Sequence, residues 1–402
     1  MPERGRPGSA CCQTHHRVCR ISWLELFFDL VVVAAVRVLS DGLREDLSAR
    51  RLGVTVVIYV AIWTSWTLAV FYANVAREKT RVLTMIVAMF LVALMTAIAP
   101  LHDASRANLF AAAYIVLRLA LARSSFETGR FLDCFPGLQQ TGAILPWVVS
   151  FWLDAPSKFW AWAVGAAIDV VLSVVRDDGG SGRSLARLNQ MRHDDHRQRD
   201  VPDLVAVGVD RRHLDERLGL FVIIVLGEAV MQLVYSAATA EWTTSFEWVA
   251  LASFVGLWRT TFAVGFTGAP HTSLADLPPR FGLPLHLVST IGLVLLATGL
   301  GILLTESAAG HVEPAVGWLV AGGMAAHLGV ALVAGLPPGR PGGSGSCASP
   351  APRPCMPRGW ACWPPTCSRC PSPVSPSCPW CGRPPWESGS PSSARGVDRL
   401  GL

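Results

Sequence analysis

Two acids, Glu25 and Asp29, stand four residues apart in the apolar segment Trp23-Leu-Glu25-Leu-Phe-Phe-Asp29-Leu-Val. That spacing puts both on one face of a helix. Two carboxylates so close repel, so at least one needs a cationic partner or keeps its proton. Inside an apolar span such groups mark a proton, ion or substrate path, or a buried pair that joins helices. Simple hydration near the cytoplasmic interface is the alternative. A second set runs from His213 through Glu216, Arg217 and Gly227 to Glu228. At helical spacing His213, Arg217, Leu220, Ile224 and Glu228 form one stripe. Glu228 lies about 11 residues, or roughly 16 Å, into its apolar segment, near mid-membrane. Gly227 beside it would admit another helix closely. Arg217 is about three turns away, so the partner of Glu228 must come from another helix. The obvious buried cation is Arg118, one turn after Tyr114. A structural clamp and a transport site fit this arrangement equally.

Other candidates are spread along the chain. Asp169 shares a stripe with Trp162, Ala166 and Ser173. Tyr59, Trp63, Trp66, Val70 and Asn74 share another, read either as packing or as an aromatic lining. His286, with Thr290 one turn on, is either interfacial or part of the site. No arrangement of nucleophile and base, no phosphate loop and no metal-ligand set appears, so no enzyme, cofactor or metal is expected.

The elements that must position these residues are spans. Of 402 residues, 51% are hydrophobic and only 16% charged, against about 25% in a soluble domain. Ten apolar segments fall at 21–39, 53–73, 82–100, 108–123, 139–153, 159–175, 217–236, 247–266, 283–305 and 315–335. Each is long enough, or nearly so, for a bilayer crossing of roughly 20 residues. The fourth, fifth and sixth are short, and so tilted, packed or re-entrant. Only helices satisfy a backbone in such segments. The fold class is all-α, a polytopic transmembrane helix bundle of about ten spans.

The organisation follows. Residues 1–20 form a cytoplasmic basic arm without a cleavage site of the signal-peptide kind. Residues 21–175 form a first helix group and 176–216 an Arg-rich, Gly-started cytoplasmic loop. Residues 217–336 form a second helix group. With the N-terminus inside, 17 Lys and Arg fall in inner loops and five in outer ones, the bias of a cytoplasmic N-terminus in the inner membrane. The net charge of +5 then reports orientation and contact with lipid headgroups rather than nucleic acid. Residues 337–402 hold 16 of 28 prolines and seven of 11 cysteines. Their CxxC pairs, Cys367/Cys370 and Cys378/Cys381, have no hydrophobic pattern around them and do not read as a zinc site. The tail reads as disordered or as a frameshift product.

On the scheme of alternating spans, Glu25, Asp29, Asn74, Arg118, Asp169, His213, Glu216, Arg217 and His286 fall in the cytoplasmic half, with Glu228 at the middle. A polar cavity open to the cytoplasm, with Glu228 at its floor, is the expectation. A weak internal repeat accompanies it. The nine residues from Glu25 resemble the nine from Glu216 at an offset of 191, and Tyr59–Trp63 resemble Phe254–Trp258 at an offset of 195. Both pairs keep direction, so the repeat is parallel, a six-plus-six design that this chain would hold in truncated form.

Glu25-Leu-Phe-Phe-Asp29-Leu-Val resembles the opening motif of the bacterial low temperature requirement protein A family. His213-x-x-Glu216-Arg217-x-Gly219, continuing to Gly227-Glu228, is similar to its central motif. Weaker echoes are Trp63 with Trp66, Tyr72 with Asn74, Tyr114 with Arg118, Asp169, Trp258 and His286. The resemblance runs from about residue 20 to 336. Where the family often carries two tryptophans and then an aromatic–acid pair, this chain reads Trp258-Arg259 and Phe262-Ala263. The resemblance implies an integral membrane protein linked to growth at low temperature, and no particular reaction. The leading expectation is a proton-coupled carrier of a small molecule or ion. The alternative is a structural or stress-adaptation protein whose charges lock helices together. Neither substrate nor oligomeric state follows from the sequence.

Overall fold

The computed structural model describes residues 23–76, 80–101, 104–132, 141–174, 205–265 and 279–335, with single positions at 186, 189 and 190. The N-terminal arm, most of the 176–216 loop and the tail with its cysteine pairs lie outside the described residues. Ten helices are described: α1 Trp23–Glu45, α2 Ala49–Ala76, α3 Val82–Ala97, α4 Ala107–Glu127, α5 Leu145–Val149, α6 Ser157–Val174, α7 Arg211–Thr239, α8 Thr244–Gly265, α9 Pro279–Ala309 and α10 Pro314–Gly335. Each apolar segment holds one of them. Six, α2, α4, α6, α7, α9 and α10, are long and apolar enough to cross a membrane. α1 matches them in length, but Glu25, Asp29, Arg37, Asp41 and Arg44 interrupt its apolar run. The chain is a multi-pass helical membrane protein.

α5 differs from the rest. It is flanked by 3-10 turns at Thr141–Ile144 and Ser150–Trp152. The whole run, at 1.5–2 Å per residue, covers about 20 Å, short of a hydrocarbon core of about 30 Å. Its Ala143 carbonyl lies beside Gly165, midway along α6, and its Ser150 beside the start of α6. It therefore lines one half of the bundle.

The ends of the helices sort onto two sides. The start of α1 defines the N-terminal side. Strand β1, Arg130–Leu132 after α4, pairs in parallel with β2, Val205–Val207 before α7, so α7 starts on that side too. The last residues assigned to the 176–216 loop, 211–216, are the opening turns of α7 rather than loop. On the opposite, far side, Lys158 at the start of α6 donates to Asn108 at the start of α4 at 2.6 Å.

The two halves pack alike. Within α1–α4 the packed pairs are α1–α2, α1–α3, α2–α3, α2–α4 and α3–α4. Within α7–α10 they are α7–α8, α7–α9, α8–α9, α8–α10 and α9–α10. α2 occupies the centre, packed against α1, α3, α4, α6, α7 and α9. Its expected stripe therefore becomes a helix buried on every face from Ile58 to Ala76, because a helix surrounded by others has no solvent or lipid side. α9 and α10 approach most closely at Gly292 and Gly323. A Cβ on Gly323 would sit 2.6 Å from the Leu296 backbone nitrogen and 2.7 Å from the Gly292 carbonyl oxygen. Small residues let backbones meet where lipid supplies no hydrophobic driving force.

Candidate functional site

The site is built between two parallel neighbours, α1 and α7. Asn74, at the end of α2, fixes the start of α7. Its Nδ2 donates to the Asp210 carbonyl at 3.0 Å, and its Oδ1 accepts from the Asp210 amide at 3.0 Å. Asp210 is the N-cap of α7, its carboxylate accepting from the His213 amide, which satisfies one of the free amides of a helix start. His213 is thereby held with Nδ1 3.4 Å from Asn74 Nδ2 and Nε2 3.4 Å from Glu25 Oε2. One turn deeper, Arg217 donates from Nη2 to Asp29 Oδ1 at 2.7 Å and to the Glu25 carbonyl at 3.1 Å. Trp66 Nε1 donates to the same Asp29 oxygen at 2.7 Å. The Arg217 and Asp29 side chains are 1% and 0% exposed. Like charge on Glu25 and Asp29 is thus met by one cation and one titratable ring.

His286, on α9, completes this level. Its Nδ1 accepts from Trp63 Nε1 at 3.2 Å, and its Nε2 lies 3.1 Å from the Leu218 carbonyl. An indole N–H on one side and a carbonyl on the other select the neutral tautomer with hydrogen on Nε2. Protonation would set two donors face to face at Nδ1. The ring stacks on Trp66, with centroids 6.1 Å apart, and meets Phe221 edge-on. His286 is 1% exposed, so it is not interfacial. The Thr290 hydroxyl donates to the His286 and Leu287 carbonyls of its own helix at 2.9 and 3.1 Å.

Farther along α7, Glu228 accepts from Gln232 at 3.3 Å and from Arg37 at 3.4 Å. Arg37 also donates to Asp41 at 2.8 Å and lies over the Tyr235 ring. Farther up, Arg44 reaches Gln232 at 3.3 Å and Ser236 at 3.5 Å. Gly301 of α9 makes its seat, since a Cβ there would collide with the Arg44 guanidinium. Polar groups therefore continue past Glu228 to the far side, and Glu228 is a midpoint rather than a floor. Arg37, Asp41, Arg44, Gln232 and Ser236 stand outside the motifs read from the sequence. Of these, Arg37 alone has a signal in the sequence, being the residue that the 191-residue offset pairs with Glu228.

Several expectations are corrected. Arg118 does not serve Glu228. It donates to Asp169 at 2.5 Å and to Tyr114 at 2.8 Å, and Tyr114 donates to Asp169 at 2.9 Å. This second, wholly buried cluster joins α4 to α6, because α2 stands between those helices and α7. Trp162 and Trp147 stack beside it, 5.0 Å apart, so the Asp169 stripe is packed as read but forms a separate cluster. Glu216 turns away from the site and pairs with Arg212 on an exposed face at 3.3 Å. Gly227 is exposed with nothing within 4 Å of a built Cβ, so among the described residues it admits no helix.

A multi-pass helical membrane protein with an ion-paired α1–α7 seam is the class these features define. Residues 20–341 match bacterial low temperature requirement A protein (LtrA), and the chain belongs to that family. An uncharacterized protein of Rhizobium meliloti (strain 1021) is 28% identical over 247 residues, 59% of this chain and 56% of its own length. The chain thus spans little more than half of that relative. No solved structure matches.

Proposed function

We propose that the chain is a proton-coupled carrier of the bacterial inner membrane, moving a small polar molecule or ion along the α1–α7 seam. One observation supports this most: the seam carries two polar sets rather than one. Glu25, Asp29, His213 and Arg217 form the first, and Arg37, Arg44, Glu228, Gln232 and Ser236 form the second. Val32, Ala35 and Val36 of α1 and Leu218, Phe221, Val222 and Val225 of α7 are buried between them. A clamp between two helices needs one ion pair, and here a second charged set lies beyond that apolar stretch. Asp29 Oδ2, Arg217 Nε and Nη1, and Arg44 Nε are buried without a hydrogen-bond partner among the described residues. Buried polar atoms are nearly always paired, so these are seats for water or a polar guest.

In this reading Glu25 and His213 exchange protons with the cytoplasm, Asp29 and Arg217 hold the guest, and Glu228 with Arg37 is the central protonation step. A cytoplasmic N-terminus rests on the 17-to-five bias of basic residues. The family is named for a requirement at low temperature. The partners are lipid and a small solute, without nucleic acid, and no catalysis is assigned.

A helix-locking role is the second reading, and Arg118–Asp169 favours it locally, being wholly buried with Tyr114 on both partners. Proteoliposomes carrying an internal pH dye and a broad panel of solutes test the main reading. Solute-dependent proton movement is expected, and its absence across the panel would count against a carrier.

A further inference from the structure

A cavity of about 240 Å³ opens on the far side, between the α1–α2 turn, the end of α3 and the start of α6. One wall is polar, formed by Asp46, Ser48, Arg50 and Arg51; the other is apolar, with Leu101 and Phe159. The polar wall is a built turn. Asp46 accepts from the Ser48 amide at 2.8 Å, and Ser48 Oγ caps α2 by accepting from the Arg51 amide at 3.2 Å. The Ser48 amide, with Arg51 nearby, holds the Asp46 carboxyl below the usual carboxylate range. Asp46 is therefore ionised and already engaged, and two arginines against one acid leave a net positive wall.

Arg51 is under-used. Its Nε reaches Asp46 only at 3.5 Å, and its Nη1 is buried without a partner among the described residues. Guanidinium donors in this condition suit an oxyanion, which they bind with short charge-assisted bonds. The facing apolar wall suits carbon rather than more oxygen. We propose that this cavity binds a small organic anion, its phosphate or carboxylate against Arg50 and Arg51 and its apolar part against Leu101 and Phe159. The site stands whether or not the bundle transports, because it lies at the opposite end of the seam from Glu25 and shares no residue with it.

A soluble organic phosphate and the headgroup of an anionic lipid both offer this chemistry, and the test separates them. The full chain in nanodiscs of phosphatidylcholine is titrated with phenyl phosphate by calorimetry. A second set of discs holds increasing phosphatidylglycerol without phenyl phosphate, and the melting temperature is read. A soluble ligand gives saturable binding in the first set, weakened about tenfold by Arg50→Gln. A lipid source gives no binding there but a melting temperature that climbs with phosphatidylglycerol, a climb that Arg50→Gln removes. Arg50 is exposed, so that variant keeps its fold. Phe159→Ala, on the opposite wall, is expected to weaken whichever signal appears. Finding no Arg50-dependent signal in either set overturns the proposal.

Discussion

Arg37 on α1 and Glu228 on α7 meet at 3.4 Å. The pair joins two parallel neighbouring helices by opposite charge. Glu228→Arg and Arg37→Glu are each expected to lower the melting temperature, and the double reversal to regain most of the loss. The coupling should be about 1 kcal/mol, since the Arg37 side chain is 33% exposed and keeps Asp41 on α1. A double-mutant cycle in thermal unfolding checks this.

Asp29 and Arg217 should behave differently, being sealed from solvent. Asp29→Asn strands a buried guanidinium and is expected to cost about 3–5 kcal/mol. Replacing both, with Asp29→Leu and Arg217→Met, should recover much of that stability while abolishing any transport. Unfolding in detergent alongside flux per folded molecule distinguishes the two effects.

Asp169 provides the contrasting case. Asp169→Asn removes the acid that Arg118 and Tyr114 share and should destabilise by a similar amount, about 3–5 kcal/mol. Its flux per folded molecule should remain that of the parent. A loss of flux at full folding would move Asp169 into the path.

Gly323→Ala tests the α9–α10 approach. The added methyl meets backbone, not a movable side chain, so the helices must part. A cost of about 1–3 kcal/mol is expected, readable as a lower melting temperature, with Gly322→Ala nearly neutral because nothing lies near its Cβ position.

The spans are legible in the sequence because a bilayer permits few solutions: an apolar run of the right length is a helix. α5 is legible only as too short, since a helix flanked by 3-10 turns has no pattern of its own. Stripes are legible, but their partners are not. Tyr114–Arg118 and Asp169 each read as buried polar sets, yet nothing local says that α4 and α6 adjoin while α2 screens them from α7. The spacing rightly places the cation that faces Glu228 on another helix, though Gln232 of its own helix also donates to it, but it does not choose between Arg118 and Arg37. Arg37 lies in the opening span, beside the more conspicuous acids Glu25 and Asp29. The offset of 191 read from the sequence, counted back from Glu228, lands on Arg37.

The central claim is that Glu228 is a protonation step on a path rather than a helix lock. Glu228→Gln keeps the shape and the Gln232 contact while removing the proton site. Parent and variant are reconstituted at equal folded density, and proton movement driven by an imposed solute gradient is followed with an internal pH dye. The account predicts a melting temperature within a few degrees of the parent and loss of solute-linked proton movement. A variant that unfolds, or one that folds and still moves protons at the parental rate, would contradict it.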